Sequence, residues 1–210
     1  MIGVGGPMTS LLIKTELTPL TVNLASLVPH ASMTDEQFYS FCLANRDLRI
    51  ERSATGEVVV MPPAFSDTGN RNLRIAQQIA NWADRDGTGE VFDSSAGFTL
   101  PNGATRSPDV TWIKLERWNA LSAAQQASFA PICPDFVIEL RSASDTLASL
   151  QEKLEEYIAN GTQLGVLIDR KHRIVHVYRP GRSPEILESP SNVSCAPELP
   201  GCVLQMARIW

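Results

Sequence analysis

The fold of this chain is decided by one apolar run, Phe136-Val137-Ile138-Glu139-Leu140-Arg141, and by the helical pattern that follows it. The run has the length and the β-branched content of a buried strand. Residues 146–159 then repeat apolar side chains at three- and four-residue spacing, which predicts an amphipathic helix. A carboxylate inside a buried strand is unfavourable unless it is paired or bound to a metal, so Glu139 marks a candidate site.

Helical and extended segments alternate on both sides of this strand. The capping box Thr34-Asp35-Glu36-Gln37 predicts a first helix, and a second is expected over residues 68–86. The helix over residues 146–159 is expected to be capped by Ser144 or Asp145. Extended segments are expected at residues 48–52, 57–61, 89–93, 97–100, 109–113, 135–140, 164–169, 174–178 and 185–187. This order predicts an α/β (α+β) fold with a mixed β-sheet flanked by helices.

Length and composition indicate one domain. The chain has 210 residues, of which 43% are hydrophobic and 20% charged, enough for a full-sized core. We expect the domain to span residues 31–210, preceded by an N-terminal arm or poorly ordered lead-in over residues 1–30. No run approaches the roughly 20 apolar residues of a membrane helix, and no signal-peptide pattern is present at the N-terminus. We therefore expect a cytoplasmic protein.

The charge balance restricts the class of nucleic-acid partner. A net charge of −5 counts against a nonspecific coat protein, because such proteins carry a large basic excess. It is compatible with a DNA enzyme, since acidic metal ligands lower the net charge while local basic clusters still contact phosphate. Arg46, Arg49 and Arg52 form one such cluster, although solvated side chains are the simpler interpretation of any single cluster.

Carboxylates at strand ends predict metal-dependent cleavage of a phosphodiester. Mg²⁺ prefers oxygen ligands and keeps several waters, one of which can serve as the nucleophile. Pro108 favours an extended residue before it and so places Asp109 at the mouth of a strand. Glu139 offers a second carboxylate, and Glu51 on the first hairpin offers a third, which can hold the metal through water.

A cation beside these carboxylates would complete the pattern, and the sequence offers two. Arg141 shares a face of the strand with Glu139, because strand side chains alternate with a period of two. Its guanidinium cannot act as a base but can neutralise charge on the phosphate. Lys153 lies at the edge of the apolar stripe of the next helix and can orient the attacking water. The structural alternative is a buried ion pair of Glu139 with either cation, with Asp109 capping a turn.

Three motifs occur together, namely Ser107-Pro108-Asp109-Val110, the segment 134–145 and the segment 152–161. As a set they resemble the Uma family of restriction endonucleases within the PD-(D/E)XK superfamily, and the resemblance spans roughly residue 34 to the C-terminus. It implies the restriction-endonuclease-like fold and a cut of DNA that depends on Mg²⁺, with Mn²⁺ as an alternative ion. Asp109 matches the Pro-Asp acid and Glu139 the acid of the (D/E)XK element, whereas Arg141 stands where lysine is expected.

Two functions therefore stay open from the sequence. The first is a Mg²⁺-dependent endodeoxyribonuclease, with Asp109, Glu139 and Glu51 at the metal and Lys153 and Arg141 at the water and phosphate. Cutting both strands of a duplex would favour a homodimer. The second is an inactive protein of the same fold that binds DNA or a protein partner. A metal-sized gap between the Lys153 amine and the Glu139 carboxylate would favour the first function, and a direct ion pair the second.

Overall fold

The computed structural model describes residues 20–22 and 33–210. The helices are α1 (Asp35–Ala44), α2 (Ser66–Asp86), α3 (Leu115–Asn119), α4 (Ala123–Gln126) and α5 (Leu147–Ala159). The strands are β1 (Leu20–Val22), β2 (Arg49–Arg52), β3 (Val58–Met61), β4 (Gly89–Asp93), β5 (Phe98–Thr99), β6 (Thr105–Arg106), β7 (Val110–Lys114), β8 (Phe136–Leu140), β9 (Leu164–Asp169), β10 (Ile174–Tyr178), β11 (Glu185–Glu188), β12 (Asn192–Ser194) and β13 (Val203–Gln205). A short 3-10 helix, Met206–Arg208, follows the last strand.

A six-stranded mixed sheet with the order β11-β10-β9-β8-β7-β4 forms the centre of the fold. β8 and β9 are parallel, whereas the other neighbouring pairs are antiparallel. Parallel neighbours need a crossover connection, and α5 supplies it. β8 therefore lies inside the sheet, and all of its residues are buried, as the apolar run predicted.

Helices cover both faces of this sheet, and the alternation along β8 assigns each side chain to one of them. Ile138 packs in the same core cluster as Ile75 of α2. Val137 packs with Leu154 of α5 on the opposite face. Because Glu139 is two residues from Val137, its carboxylate lies on the face that α5 covers.

A close approach of α5 to the sheet depends on Gly165 in β9. A Cβ atom built at this glycine would lie 2.6 Å from Cδ1 of Leu154, well inside van der Waals contact. The missing side chain therefore lets α5 lie directly on the sheet. This distance also determines how far the side chains of α5 reach toward β8.

A second sheet has the order β1-β3-β2-β6-β5 and carries the predicted hairpin β2–β3. The C-terminal hairpin β12–β13 forms a separate two-stranded sheet. Its Leu204, with Met206 just after it, is buried in the same cluster as Ile75 of α2. The end of the chain is thus part of the main core.

Most predicted elements are confirmed, including the capping box at Thr34 and the end of α2 at Gly87, which has a positive φ of 71°. The predicted cap of α5 is wrong, because Thr146 is the N-cap and its hydroxyl accepts a hydrogen bond from the Ser149 amide. The strands β1, β6, β12 and β13 were not predicted. Segments of two or three residues are too short to show a periodic pattern.

The predicted fold class is confirmed, since a mixed sheet is flanked by helices. Three residues of the predicted arm, Leu20–Val22, pair antiparallel with β3. The rest of that arm lies outside the described residues. Within the described ranges, no helix combines the length and the hydropathy that crossing a membrane requires.

Candidate active site

Three of the predicted side chains meet in one cavity of about 270 Å³ between the two helical layers. Asp109 directly precedes β7, Glu139 lies in β8 and Lys153 lies in α5. All three side chains line the cavity. Asn72 of α2 lines it as well. Groups far apart in sequence are therefore brought together by the sheet order and by the two covering helices.

Glu139 is held by two donors from α5. The Lys153 Nζ atom lies 2.9 Å from its Oε1, and the Tyr157 hydroxyl donates to the same oxygen at 3.1 Å. The residue is 4% exposed. From the part of the chain that the structure describes, no hydrogen bond reaches Oε2. One carboxylate oxygen thus remains available for a further ligand.

Asp109 occupies the point where the β7–β8 ladder stops. The last paired residues are Val110 and Ile138, and the register places Pro108, which has no N–H, opposite Leu140. The Leu140 amide instead donates to Asp109 Oδ2 at 2.9 Å. The Asn72 side chain donates to Oδ1 at 2.9 Å. The expected position of Asp109 at the mouth of a strand thus corresponds to an end of the ladder.

The electrostatics of these two acids favour a cation. Burial raises the pKa of Glu139 to about 7, and the neighbouring Asp109 and Glu51 add to the rise, although Lys153 opposes it. Burial also raises the pKa of Asp109, against the Leu140 amide, Arg49 and Lys153. The raised pKa values indicate that the two buried carboxylates have too little positive charge around them. A divalent ion would supply that charge.

Lys153 bridges the two glutamates. Its amine lies 2.9 Å from Glu51 Oε1 and 2.9 Å from Glu139 Oε1. Burial lowers the pKa of Lys153, but the two glutamates outweigh burial and raise the pKa above its usual value. The amine is therefore protonated at neutral pH and acts as a fixed positive charge.

Glu51 is saturated by donors other than a metal. The Ser107 amide donates to Oε1 at 2.9 Å, Lys153 contacts the same oxygen, and Arg106 lies 3.3 Å from Oε2. Burial raises the pKa of Glu51, but these partners outweigh burial and lower it. Across residues 33–210, no three His, Cys, Asp or Glu side chains form a group ready to hold a metal. The geometry therefore gives Glu51 the role of holding Lys153, and metal ligation by Glu51 stays a prediction.

Arg141 does not line the cavity. Its NH1 atom lies 2.7 Å from Oδ2 of Asp169 on β9, and its Nε donates to the Asp145 carbonyl at 3.3 Å. His172 contacts the same aspartate oxygen at 2.7 Å. Of the two candidate cations, Lys153 is the one beside Glu139.

Sequence reasoning missed several residues of the site. Asn72 lies on the buried face of α2, four residues after Thr68 and three before Ile75, so a polar residue in that stripe was a signal. Tyr157 lies in the buried apolar stripe of α5. A tyrosine in such a stripe is a detectable signal, because its hydroxyl needs a partner when buried. Arg49 lines the cavity, with NH1 3.8 Å from Asp109 Oδ1. Three residues of the loop before α5 also line it, namely Ser142, Ser144 and Asp145.

Comparison with known proteins supports the nuclease assignment at the level of the family. Over residues 35–207 the chain matches the family model Uma2, described as "Putative restriction endonuclease". The chain belongs to the Uma2 family. The family expected from the motifs is thereby confirmed. No curated protein matches this Uma2 chain significantly.

A solved structure shares the fold of this Uma2 chain. It is the crystal structure of "a putative nuclease belonging to DUF820" from Anabaena variabilis ATCC 29413. The TM-score is 0.65 at 20% sequence identity, and the similarity covers 76% of this chain and 88% of that chain. At this identity the likeness establishes the nuclease-like fold and not the activity.

Proposed function

We propose that this Uma2 protein is a divalent-metal-dependent endodeoxyribonuclease. The observation that carries the proposal is the convergence of Asp109, Glu139 and Lys153 in one cavity. Carboxylate oxygens suit Mg²⁺ and Mn²⁺, and the raised pKa values of both acids fit a bound cation. When bound, such an ion would activate water and offset charge on the phosphate.

In this proposal each residue of the site has its own role. Asp109 and Glu139 would hold the ion, while the Leu140 amide and Asn72 fix the Asp109 carboxylate. Lys153 stays protonated and stabilises the negative charge that develops on the phosphate. Glu51 positions the Lys153 amine.

Cleavage in the presence and absence of metal tests this proposal. We expect the purified protein to cut DNA with Mg²⁺ or Mn²⁺ and to be inactive in EDTA. Glu139→Gln keeps the size of the side chain but removes its charge, and it should abolish cleavage. Isothermal titration calorimetry should detect metal binding that Asp109→Ala removes. Intact DNA at every metal concentration, together with no such binding, would refute the proposal.

A second function is favoured by one observation. Lys153 contacts Glu139 directly at 2.9 Å, which is the arrangement expected for an inactive protein of this fold. In that case the amine neutralises the carboxylate permanently, and the protein binds DNA or a protein partner without cutting. Retained DNA binding without metal binding would identify this function. The free Oε2 of Glu139 favours the nuclease, because an ion can bind there while the ion pair persists.

Two further expectations accompany the proposal. A homodimer would place two cavities on the two strands of a duplex, and sedimentation of the purified protein would test it. A cytoplasmic location would be tested by fractionating cells that produce the protein.

A further inference from the structure

The cavity that holds the carboxylates has two unlike walls. The loop before α5 presents Ser142, Ser144 and Asp145 on one side. The segment 61–65, with sequence Met-Pro-Pro-Ala-Phe, lines the other side with apolar groups. Phe65 is 52% exposed, and no aromatic ring within residues 33–210 stacks on it. An aromatic face is thus available beside the carboxylates.

The depth of the carboxylates limits what can reach them. Asp109 is 8% exposed and Glu139 is 4% exposed, at the floor of a cavity of about 270 Å³. In a duplex every base is paired and stacked on its neighbours, so no base is free to lie on Phe65 unless it is flipped out of the stack. A single strand is flexible and can insert one nucleotide with its phosphate first.

The charges around the cavity also disfavour a duplex. Three nearby cations are occupied, since Lys153 and Arg106 pair with Glu51 and Arg141 pairs with Asp169. The whole chain carries a net charge of −5. Nonspecific attachment to a duplex backbone relies on many phosphate contacts, and these three side chains are not free to supply them.

Arg49 is paired more loosely than Lys153, since its NH1 atom lies 3.8 Å from Asp109 Oδ1 whereas the Lys153 amine lies 2.9 Å from Glu51 Oε1. Arg49 lines the cavity with its side chain 31% exposed. Its NH2 atom donates to the Ser107 carbonyl at 2.6 Å, but its buried Nε has no hydrogen-bond partner among the described residues. The buried Oδ1 of Asn72, on the same cavity, lacks such a partner as well. The polar part of the cavity therefore has unused hydrogen-bonding capacity.

We propose that the preferred substrate is unpaired DNA, bound with one base stacked on Phe65 and its phosphate directed to Arg49 and the carboxylates. Stacking on an aromatic ring supplies affinity for a single strand where phosphate contacts are few. The position of the phosphate rests on the proposed function, whereas the preference for unpaired DNA can be measured without cleavage. A monomer suffices for this substrate.

Binding in EDTA tests the preference directly. Fluorescence anisotropy would compare a fluorescein-labelled single-stranded oligonucleotide with the duplex of the same sequence, and we expect at least about tenfold tighter binding of the single strand. Phe65→Ala should weaken single-strand binding by about five- to hundredfold, the range that stacking of one base contributes. Phe65→Trp should restore it. Leu73→Ala is the matched control, because Leu73 is 62% exposed and does not line the cavity.

These variants should keep the fold. Phe65 is the N-cap residue of α2 but makes no side-chain cap hydrogen bond, so its truncation removes no cap. Thermal unfolding of each variant checks this directly. Equal or tighter binding of the duplex would overturn the proposal, as would equal effects of Phe65→Ala and Leu73→Ala. Dissociation of a dimer by Phe65→Ala would also overturn it, by assigning the apolar wall to a second copy.

Cleavage assays separate this proposal from the proposed function. With Mn²⁺, the substrates would be the single strand, the duplex and a duplex that contains an unpaired bubble. Cleavage confined to unpaired segments supports both proposals. Cleavage of the intact duplex at an equal rate overturns the substrate preference and leaves the nuclease proposal standing. Single-strand binding through Phe65 without any cleavage overturns only the nuclease.

Discussion

Lys153 makes two ion pairs through one amine, with Glu51 and Glu139 each 2.9 Å away. A buried ammonium group is stable only when its charge is compensated in this way. The pairing also fixes the amine, because Glu51 is itself held by Arg106 and by the Ser107 amide. A charge fixed before the substrate arrives needs no reorganisation during the reaction.

Replacing Lys153 should therefore abolish most of the cleavage. We expect Lys153→Met to lower the rate constant of cleavage about 10²–10³-fold, as loss of one fixed electrostatic contact does in other enzymes. The measurement is single-turnover cleavage of a labelled oligonucleotide in Mn²⁺. Arg141→Met is the matched control and should cost less than about tenfold, because Arg141 pairs with Asp169 outside the cavity. A larger loss of cleavage in Arg141→Met than in Lys153→Met would instead identify Arg141, on the strand, as the catalytic cation.

The carboxyl group of Glu139 should make the metal-free protein less stable as the pH rises. Burial raises its pKa from 4.5 to about 7, so between these values the folded protein keeps a proton that the unfolded chain has released. Stability falls with rising pH wherever the folded state binds more protons. The loss from pH 4.5 to pH 8 amounts to roughly 3 kcal/mol at most, because one pKa unit corresponds to about 1.4 kcal/mol.

Urea unfolding in EDTA at several pH values would measure this loss. Glu139→Gln has no proton to release, so its stability should vary less over the same range than that of the wild type. Since Asp109, Glu51 and Lys153 titrate with Glu139 as a cluster, the difference between the two proteins is the relevant quantity. Identical pH profiles would contradict the assignment of the raised pKa.

At the scale of secondary structure, the position of α5 on the sheet is set by Gly165. A Cβ atom there would lie 2.6 Å from Leu154 Cδ1, next along the chain to Lys153. Gly165→Ala should push α5 away from β9 and destabilise the protein by about 1–3 kcal/mol, the usual cost of overpacking. Cleavage should fall further than stability, because the Lys153 amine moves with the helix.

Chemical unfolding and single-turnover cleavage together test this coupling. Gly69→Ala in α2 is the control, because nothing lies within 4 Å of a Cβ atom at that position. It should stabilise the protein by about 0.5 kcal/mol through the lower entropy of the unfolded chain. If Gly165→Ala leaves cleavage unchanged in folded protein, then the α5–β9 distance does not determine the site.

Elements with a long periodic pattern could be predicted from the sequence, and their contacts in space could not. The buried strand around Glu139 and the apolar stripe of α5 are local patterns. The choice between Lys153 and Arg141 depends on which partner each one meets. Arg141 pairs with Asp169, which lies on the neighbouring strand. Lys153 pairs with Glu51, which lies on the other sheet. Such pairings follow from tertiary packing, which a single sequence does not encode locally.

At the scale of the whole molecule, the C-terminal hairpin is part of the main core. Leu204 is 0% exposed and shares a cluster with Ile75 of α2, and Arg71 of the same helix donates to the Ile209 carbonyl at 2.9 Å. Leu204→Ala should cost about 2–5 kcal/mol, as expected for truncation of a buried leucine. Val203→Ala, at a position that is 42% exposed, should cost less than about 0.5 kcal/mol.

Thermal or urea unfolding of the two variants tests this arrangement. A single cooperative transition that shifts only for Leu204→Ala would show that the hairpin and the sheet unfold together. A separate early transition would show that the hairpin is an independent unit. The distinction matters for the cavity, because α2 packs against this hairpin and also carries Asn72, which donates to Asp109.

The location of the cation on a helix affects how relatives of this protein are recognised. A search for Glu-x-Lys along one strand would reject this chain, because Arg141 fills the third position and the amine beside Glu139 belongs to Lys153. In this chain the helix provides the positive charge beside Glu139, and Arg141 at the strand position pairs with Asp169 instead. Related chains that look degenerate by the strand motif should therefore be screened for a lysine on the following helix before they are counted as inactive.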